Sequence, residues 1–473
     1  MYNYSMAKLF NKQIKEFPAP IAFRKILGPS FVLLALGFGS GELILWPYLV
    51  ANYGLGIIWG AVLGITFQYF INMEVERYAL VKGESVFVGL NKLWRWTPIW
   101  FIVSTFIGFG LPGIIAASAQ VLSFAFGWAD FKWLAAGLLV AIGLILSFGK
   151  TVYASLEKIN KIIIFVGVPL IFILTLFLAD QADVLKLFNG LIGRGENFSW
   201  LPTGISLATF LAAFAYAGAG GNLNLSQSIY AKEKGYGMGK YSQKIASLFH
   251  KKRGHEEIKL AGEPFDLSDK NISRFKAWWR LVNAENLLVF WFLGLLAMCL
   301  LMLLAYVTAY GHPGNDQGIS FVVREGLAIS RVLIPAFGSV FLFVVGMILF
   351  QAQLGIIDST SRIMAENLAL KIMAHEQVKK INLSKIYYCF VWAQIAFGII
   401  LFSTNIYEPK TLIVIGAVIN AVAMFVHVGL VNRLNLRVLA KPFRPAYWRR
   451  AVMWLIFLFF GVFSVITLLD KIS

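Results

Sequence analysis

Apolar runs long enough to cross a bilayer recur eleven times along this chain, and two of them are interrupted by glycine clusters. The runs fall near 27–50, 55–78, 97–126, 131–149, 160–179, 203–230, 286–310, 332–358, 386–403, 411–432 and 450–470. A helix of about 20 apolar residues covers the hydrocarbon core. The first run is broken by Gly37-Phe38-Gly39-Ser40-Gly41-Glu42 and the sixth by Gly218-Ala219-Gly220-Gly221-Asn222-Leu223-Asn224. A break at membrane depth frees backbone N–H and C=O groups that lipid cannot satisfy, so it survives only where protein or a polar cavity receives them. Broken spans at matching places in two halves of a chain mark the substrate site of a transporter.

Composition agrees. Hydrophobic residues make up 59% of the 473, charged residues 14%, and the mean hydropathy is +0.72, well away from soluble domains. The two cysteines, Cys299 and Cys389, lie in separate apolar runs and provide neither a disulfide framework nor a thiolate cluster. Residues 1–26 are polar and basic and the run after them is too long for a cleavable leader, so they read as a cytoplasmic N-terminal segment.

The first ten runs divide into two groups of five, each opening on its broken member, and an odd number turns the second group upside down relative to the first. The expected fold is an all-α polytopic membrane protein of about 11 transmembrane helices within 27–470. It comprises a 5+5 inverted repeat (27–179 and 203–432) plus one extra helix at 450–470. Loop charge gives the orientation. The great majority of the 42 Lys and Arg fall on the side of the N-terminus, which places that side in the cytoplasm and the C-terminus outside a cell membrane. The net charge of +18 then points to anionic inner-leaflet lipid as a partner rather than nucleic acid, because no compact basic domain exists to hold the latter. The basic cytoplasmic loop 231–283 contains Lys251-Lys252-Arg253 and ends in Arg274-Phe275-Lys276-Ala277-Trp278-Trp279-Arg280. It reads as solvated chain ending in a helix at the headgroups.

Glu42 falls in the first turn after the first break, where the helix dipole favours a negative charge. Carboxylates at this depth are costly and by default functional. Two readings stand open: a cation ligand or proton carrier, or a cap for the freed N–H groups with Ser40 assisting. In the sixth run Asn222 and Asn224 follow the glycine pair. With Glu42 and freed carbonyls at Gly39 and Ala219 they form an oxygen set suited to a hard divalent cation, unless they only tie off the broken backbone. Gln353 adds a neutral oxygen in the eighth run. Gln68, Asn72 and Glu76 share one face of the second, lining a vestibule or packing between helices. Asp358 and Arg362 are spaced to pair, Glu74 and Arg77 read as interfacial, and His427 as a core histidine. The substrate-binding set is thus Gly39, Ser40, Glu42, Ala219, Asn222, Asn224 and Gln353, with Glu42, Asn222 and Asn224 on a metal. No resident cofactor is expected, a divalent cation being the cargo and the coupling ion open. No nucleophile–base pair lies at membrane depth, so an enzyme is not expected.

Gly28-Pro29-Ser30-Phe31 followed by Gly39-Ser40-Gly41-Glu42, then Gln68, Glu76-Arg77-Tyr78-Ala79-Leu80-Val81-Lys82-Gly83-Glu84, Asn222-Leu223 and Gln351-Ala352-Gln353, resemble the Nramp divalent-metal transporters. The resemblance implies a LeuT-type fold and transport of Mn or Fe, usually with protons. It also has departures. The family's Asp-Pro-Gly-Asn falls on Gly39-Ser40-Gly41-Glu42, and its Met-Pro-His on Ala219-Gly220-Gly221. The third run, from Thr97 to Phe126, has none of the proton-pathway acids the family places there. A divergent member with a harder-ligand site, of Mg/Mn type, is the resulting expectation. Gly-Ser-Gly in the first break and Phe214-Ala215-Tyr216-Ala217-Gly218 in the sixth also resemble amino-acid transporters of the same fold. That leaves a small organic ion, or a non-transporting receptor, as alternatives.

Overall fold

The computed structural model describes residues 15–472 except 24–25, 27–28, 38, 129, 149–164, 168, 245–255, 258 and 377–379. Its architecture is helical apart from one pair of two-residue strands. Among the described residues eight helices are long and apolar enough to cross a membrane, or nine if Phe165–Leu178 and Gln181–Leu191, bent by 118° at their junction, count as one span. The expected fourth span is the 17-residue helix Lys132–Phe148. The sixth is two nine-residue halves, Leu207–Ala215 and Ser226–Lys234. Length alone therefore counts fewer than the eleven expected.

The first span consists of a helix, Pro29–Gly37, a turn through Gly39 and Ser40, a π-helical turn, Gly41–Leu45, and a second helix, Trp46–Tyr53. Pro47 is placed at the start of that second helix, where its missing N–H costs nothing. The second span, Ile58–Lys82, is closed by Gly83 in the left-handed conformation (φ 64°). The third is interrupted at Leu111-Pro112, between Thr97–Gly110 and Gly113–Phe126. The eighth, Pro335–Glu376, packs along both halves of the third. Leu383–Ser403, Pro409–Val438 and Tyr447–Ile472 complete the bundle. Its outer surface is apolar: Phe177, Leu455, Leu458 and Val462 all point outward, as lipid-facing side chains must.

Several expectations are corrected. The helix that becomes the seventh span begins far earlier than residue 286. It starts at Asp269, runs to Asn286, passes through a π-helical turn at Leu287–Leu293 and continues as Gly294–Ala309. The eighth likewise continues well past residue 358. These extensions are polar enough to fail a hydropathy reading, yet they are helical because they pack on protein. Trp278 does not face headgroups: it is buried against Tyr236, and its indole N–H donates to the Pro18 carbonyl at 3.0 Å. Glu74 and Arg77 are not interfacial either. Both are buried, 2.7 Å apart, and Arg449 of the last helix meets the same carboxylate at 2.6 Å. The Lys251-Lys252-Arg253 cluster lies outside the described residues. The loop's short strand, Glu256–Glu257, pairs antiparallel with Lys380–Ile381.

Candidate functional site

The two breaks meet at the centre of the bundle, and glycine is what lets them. A Cβ on Gly41 would run into the Tyr216 carbonyl oxygen of the sixth span. One on Gly37 would stand 2.6 Å from Glu42 Oε1 and 2.8 Å from the Gly218 carbonyl carbon. Gly39 abuts the Ala352 methyl, between Gln351 and Gln353 of the eighth span. In the sixth span the backbone turns through Gly218 (φ 124°), Gly220 (φ 69°) and Gly221 (φ 50°). Side-chain-bearing residues avoid these angles, so this stretch can only be glycine-rich.

The freed backbone groups are received largely by side chains from other spans. Gln68 of the second span spans the sixth-span break: its Nε2 donates to the Ala215 carbonyl at 3.1 Å, and its Oε1 accepts from the Gly220 N–H at 2.9 Å. Asn420 of the tenth span donates to the Gly108 carbonyl, at the end of the first half of the third span, and to the Tyr216 hydroxyl, each at 2.9 Å. Asn222 is similarly committed. Its Nδ2 donates to Ser104 Oγ at 2.9 Å and Thr105 Oγ1 at 3.0 Å, and its Oδ1 stands 3.3 Å from His427 Nδ1. These partners are side chains of the third and tenth spans, not the backbone freed at the break. Sequence reasoning missed Tyr216, Asn420, Ser104 and Thr105. Their signal was a polar residue facing inward in an otherwise apolar run, which periodicity alone does not separate from a packing contact.

Glu42 is different. It is fully buried, its carboxylate has no side-chain hydrogen-bond partner among the described residues, and the backbone N–H groups that act on it are its own and that of Gly218. Ser40 precedes the π-helical turn without any side-chain capping bond. Among the described residues no Lys or Arg acts on Glu42 electrostatically. Asn224, on the 3₁₀ turn Gly221–Leu225, is also fully buried with both amide atoms unpartnered. Ser40, Ala219 and Gln353 are buried as well: Ser40 two residues before Glu42, Ala219 inside the sixth-span break, and Gln353 next to the Ala352 that touches Gly39. Buried polar groups are almost always satisfied, and an uncompensated carboxylate is the costliest exception. The arrangement therefore presents a single carboxyl group and neutral oxygens and, among the described residues, no basic group acting on that carboxyl. Among the described residues no group of three or more His, Cys, Asp or Glu is placed to hold a metal, so any metal here is bound by one carboxylate plus amide and backbone oxygens.

No family model and no curated protein matches the chain. Solved structures do. The manganese transporter of Eremococcus coleocola, as one of its variants, superposes with a TM-score of 0.68 over 97% of this chain and 89% of its own, at 13% identity. The same transporter in complex with an aromatic bis-isothiourea substituted compound gives 0.67 over 98% and 90%, also at 13% identity. Mhp1, a nucleobase-cation-symport-1 family transporter in a closed conformation with bromovinylhydantoin bound, gives 0.51 over 95% and 92%, at 12% identity. The class that fold and site define is a multi-pass membrane protein of the LeuT-type transporter fold.

Proposed function

We propose that this chain is a secondary active transporter that carries a hard divalent cation of Mg or Mn type across the cell membrane by alternating access. In this reading it is a divergent relative of the Nramp transporters, with its N-terminus in the cytoplasm and its C-terminus outside. The observation that carries the proposal is Glu42: a buried carboxylate without a basic partner among the described residues, where two broken helices touch. Two broken spans in contact give alternating access its pivot, since each half-helix tilts without breaking a continuous hydrogen-bond ladder. Glu42 provides charge, Asn224 an unpartnered amide oxygen, and the freed carbonyls near Gly39 and Ala219 further oxygens, with Ser40 and Gln353 at the edge. Asn222 acts from behind, holding the sixth-span break against Ser104 and Thr105. The set contains no thioether or thiolate, which favours hard cations over late transition metals. The same kinship with a manganese transporter of known structure supports a metal cargo, and the kinship with Mhp1 keeps an organic ion as the competing one.

The test is uptake of Mn²⁺, Mg²⁺ and Ca²⁺ by purified protein in liposomes, with wild type and Glu42→Gln side by side and thermal unfolding as a control. The expected outcome is uptake of at least one divalent cation by wild type and its loss in Glu42→Gln at unchanged unfolding temperature. Folded wild type that moves none of the three would refute the metal reading, and amino acids and nucleobase-like solutes would then be assayed.

A further inference from the structure

One buried carboxylate near the end of the second span is answered by two bases. Glu74 accepts from Arg77 Nε at 2.7 Å through Oε2, and from Arg449 Nε of the last helix at 2.6 Å through Oε1. All three side chains are buried. Asn435 of the tenth span adds only a neutral donor, its Nδ2 standing 2.9 Å from the Glu74 carbonyl and 3.3 Å from Oε2. The next acid along the helix, Glu76, lies two residues on and so about 200° around it, where Gln227 of the sixth span binds it at 2.9 Å. Two guanidiniums against one carboxylate leave an excess positive charge in the Glu74 cluster. A buried charge without a counter-charge is costly, so the excess calls for an anion from outside the chain.

Aromatic rings connect this cluster to the surface. Arg77 Cζ lies 3.8 Å from the centre of the half-buried Trp279 ring. Arg449 Cζ stands 5.1 Å from the same ring and 5.2 Å from those of Phe70 and Trp448. Trp448 packs edge-on against Phe70 at 5.8 Å and keeps 57% of its surface exposed. Tyr447 before it is 85% exposed, with Arg450 Cζ 5.0 Å from its ring. Arg450 forms no ion pair among the described residues, nor do the exposed Lys276 and Arg280 on the Trp279 helix. The last helix has no acid in its first turn. Below that turn the surface is apolar: Arg450, Trp454 and Leu458 follow at intervals of four and share a face, and the last two are exposed. A soluble anion has no use for such a row, whereas a phospholipid lays its acyl chains along one.

We infer that the first turn of the last helix binds the headgroup of an anionic phospholipid, with Arg450 on the phosphate and Tyr447 and Trp448 at the headgroup boundary. Guanidinium groups match phosphate oxygens in geometry as well as charge. Tyr and Trp rings settle where headgroups meet acyl chains. Arg77 and Arg449 stay behind the rings and act on the lipid through their charge alone. The bound lipid supplies the negative charge that the cluster lacks, where the last helix meets the second span and the helix Asp269–Asn286. The site does not depend on what the cargo is. The orientation proposed above only assigns it to the cytoplasmic leaflet.

The test is native mass spectrometry of the full chain released from micelles that contain dioleoylphosphatidylglycerol and dioleoylphosphatidylcholine in equal amounts. Wild type is compared with Arg450→Gln, Trp448→Leu and, as the control for diffuse charge, Lys385→Gln, which alters an exposed lysine at the start of Leu383–Ser403. Wild type is expected to retain phosphatidylglycerol in preference to phosphatidylcholine. Arg450→Gln should weaken that retention about fivefold, the effect of one basic residue at an anionic surface. Trp448→Leu should weaken it in the same direction, and Lys385→Gln should leave it unchanged. Folded wild type with no preference between the two lipids would overturn the site without recourse to any variant. So would a loss in Lys385→Gln as large as in Arg450→Gln, or full retention in a folded Arg450→Gln. A parallel run with inorganic phosphate separates the two sources of the phosphate group. Phosphate retained by wild type and lost in Arg450→Gln, with no lipid preference, would overturn the lipid in favour of a soluble anion.

Discussion

Gly41 and Gln68 do opposite jobs at the same spot. Gly41 makes room: an added methyl would overlap the Tyr216 carbonyl oxygen, a backbone atom fixed by its own span. Gly41→Ala should therefore destabilise by about 1–3 kcal/mol, as overpacking does. Gly137, on the helix Lys132–Phe148 with nothing within 4 Å of its Cβ position, is the control. Gly137→Ala should be neutral or stabilise by about 0.5–1 kcal/mol. Thermal unfolding in detergent reads both. Glu42 shows how the same scale limits sequence reading. Its position after a glycine break is legible in the sequence, whereas the lack of a basic partner among the described residues depends on what the other spans bring to it, which no local pattern encodes.

At the scale of elements, the sixth span is a break bridged by neighbouring spans. Gln68 satisfies one freed acceptor and one freed donor, and Asn222 and Asn420 fasten its two sides to the third span. Gln68→Leu leaves the Ala215 carbonyl and the Gly220 N–H unpaired in a dry interior, a cost of about 1–3 kcal/mol for each group. The expected result is a large drop in unfolding temperature, with transport lost in whatever protein remains folded. Gln68→Glu, which keeps the acceptor toward Gly220, should lose less. A Leu variant as stable as wild type would show that water or backbone rearrangement replaces the clamp. Element boundaries are where sequence and structure differ. The expected spans stop short of the helices at Asp269–Asn286 and beyond residue 358 because polar residues interrupt the hydropathy runs there. Those residues are Asn271, Glu285 and Asn286 in the first case and Glu366 and Asn367 in the second, all buried against protein.

For the whole molecule, residues 15–18 form a strap across the long helix that starts at Asp269. Phe17 is buried between Phe265 and Phe275, with ring centroids at 5.1 and 6.1 Å, and its N–H donates to Asn271 Oδ1 at 3.0 Å. Glu16 adds ion pairs to Lys270 and Arg274, each at 2.9 Å. Hydrogen bonds from those two side chains, first Lys270 and then Arg274, hold the Glu16 carboxyl below its usual range. A depressed carboxylate contributes stability above its unfolded value and loses it as pH falls through the lowered one. The effect is modest, since the group is fully exposed. Hydrogen-exchange protection of the amides of residues 15–17, corrected for intrinsic rate, should therefore step down in acid, and Glu16→Gln should remove the step. Protection that is flat with pH in wild type would assign the docking to Phe17 alone.

What the sequence determined by itself was the class: long apolar runs, two of them broken by glycine, can be accommodated only by a helical membrane bundle whose breaks face inward, because lipid offers backbone groups no partner. It also determined which residues stand at the breaks, since glycine at positive φ has no substitute. The tertiary structure alone decided which polar side chains are committed and which are left over. Asn222 and Asn224 are two residues apart and indistinguishable in sequence, yet one is tied to Ser104, Thr105 and His427 while the other has no partner among the described residues. The reason is that hydrogen-bond satisfaction in a buried site is set by helices brought together from more than a hundred residues apart, and local sequence has no record of that meeting.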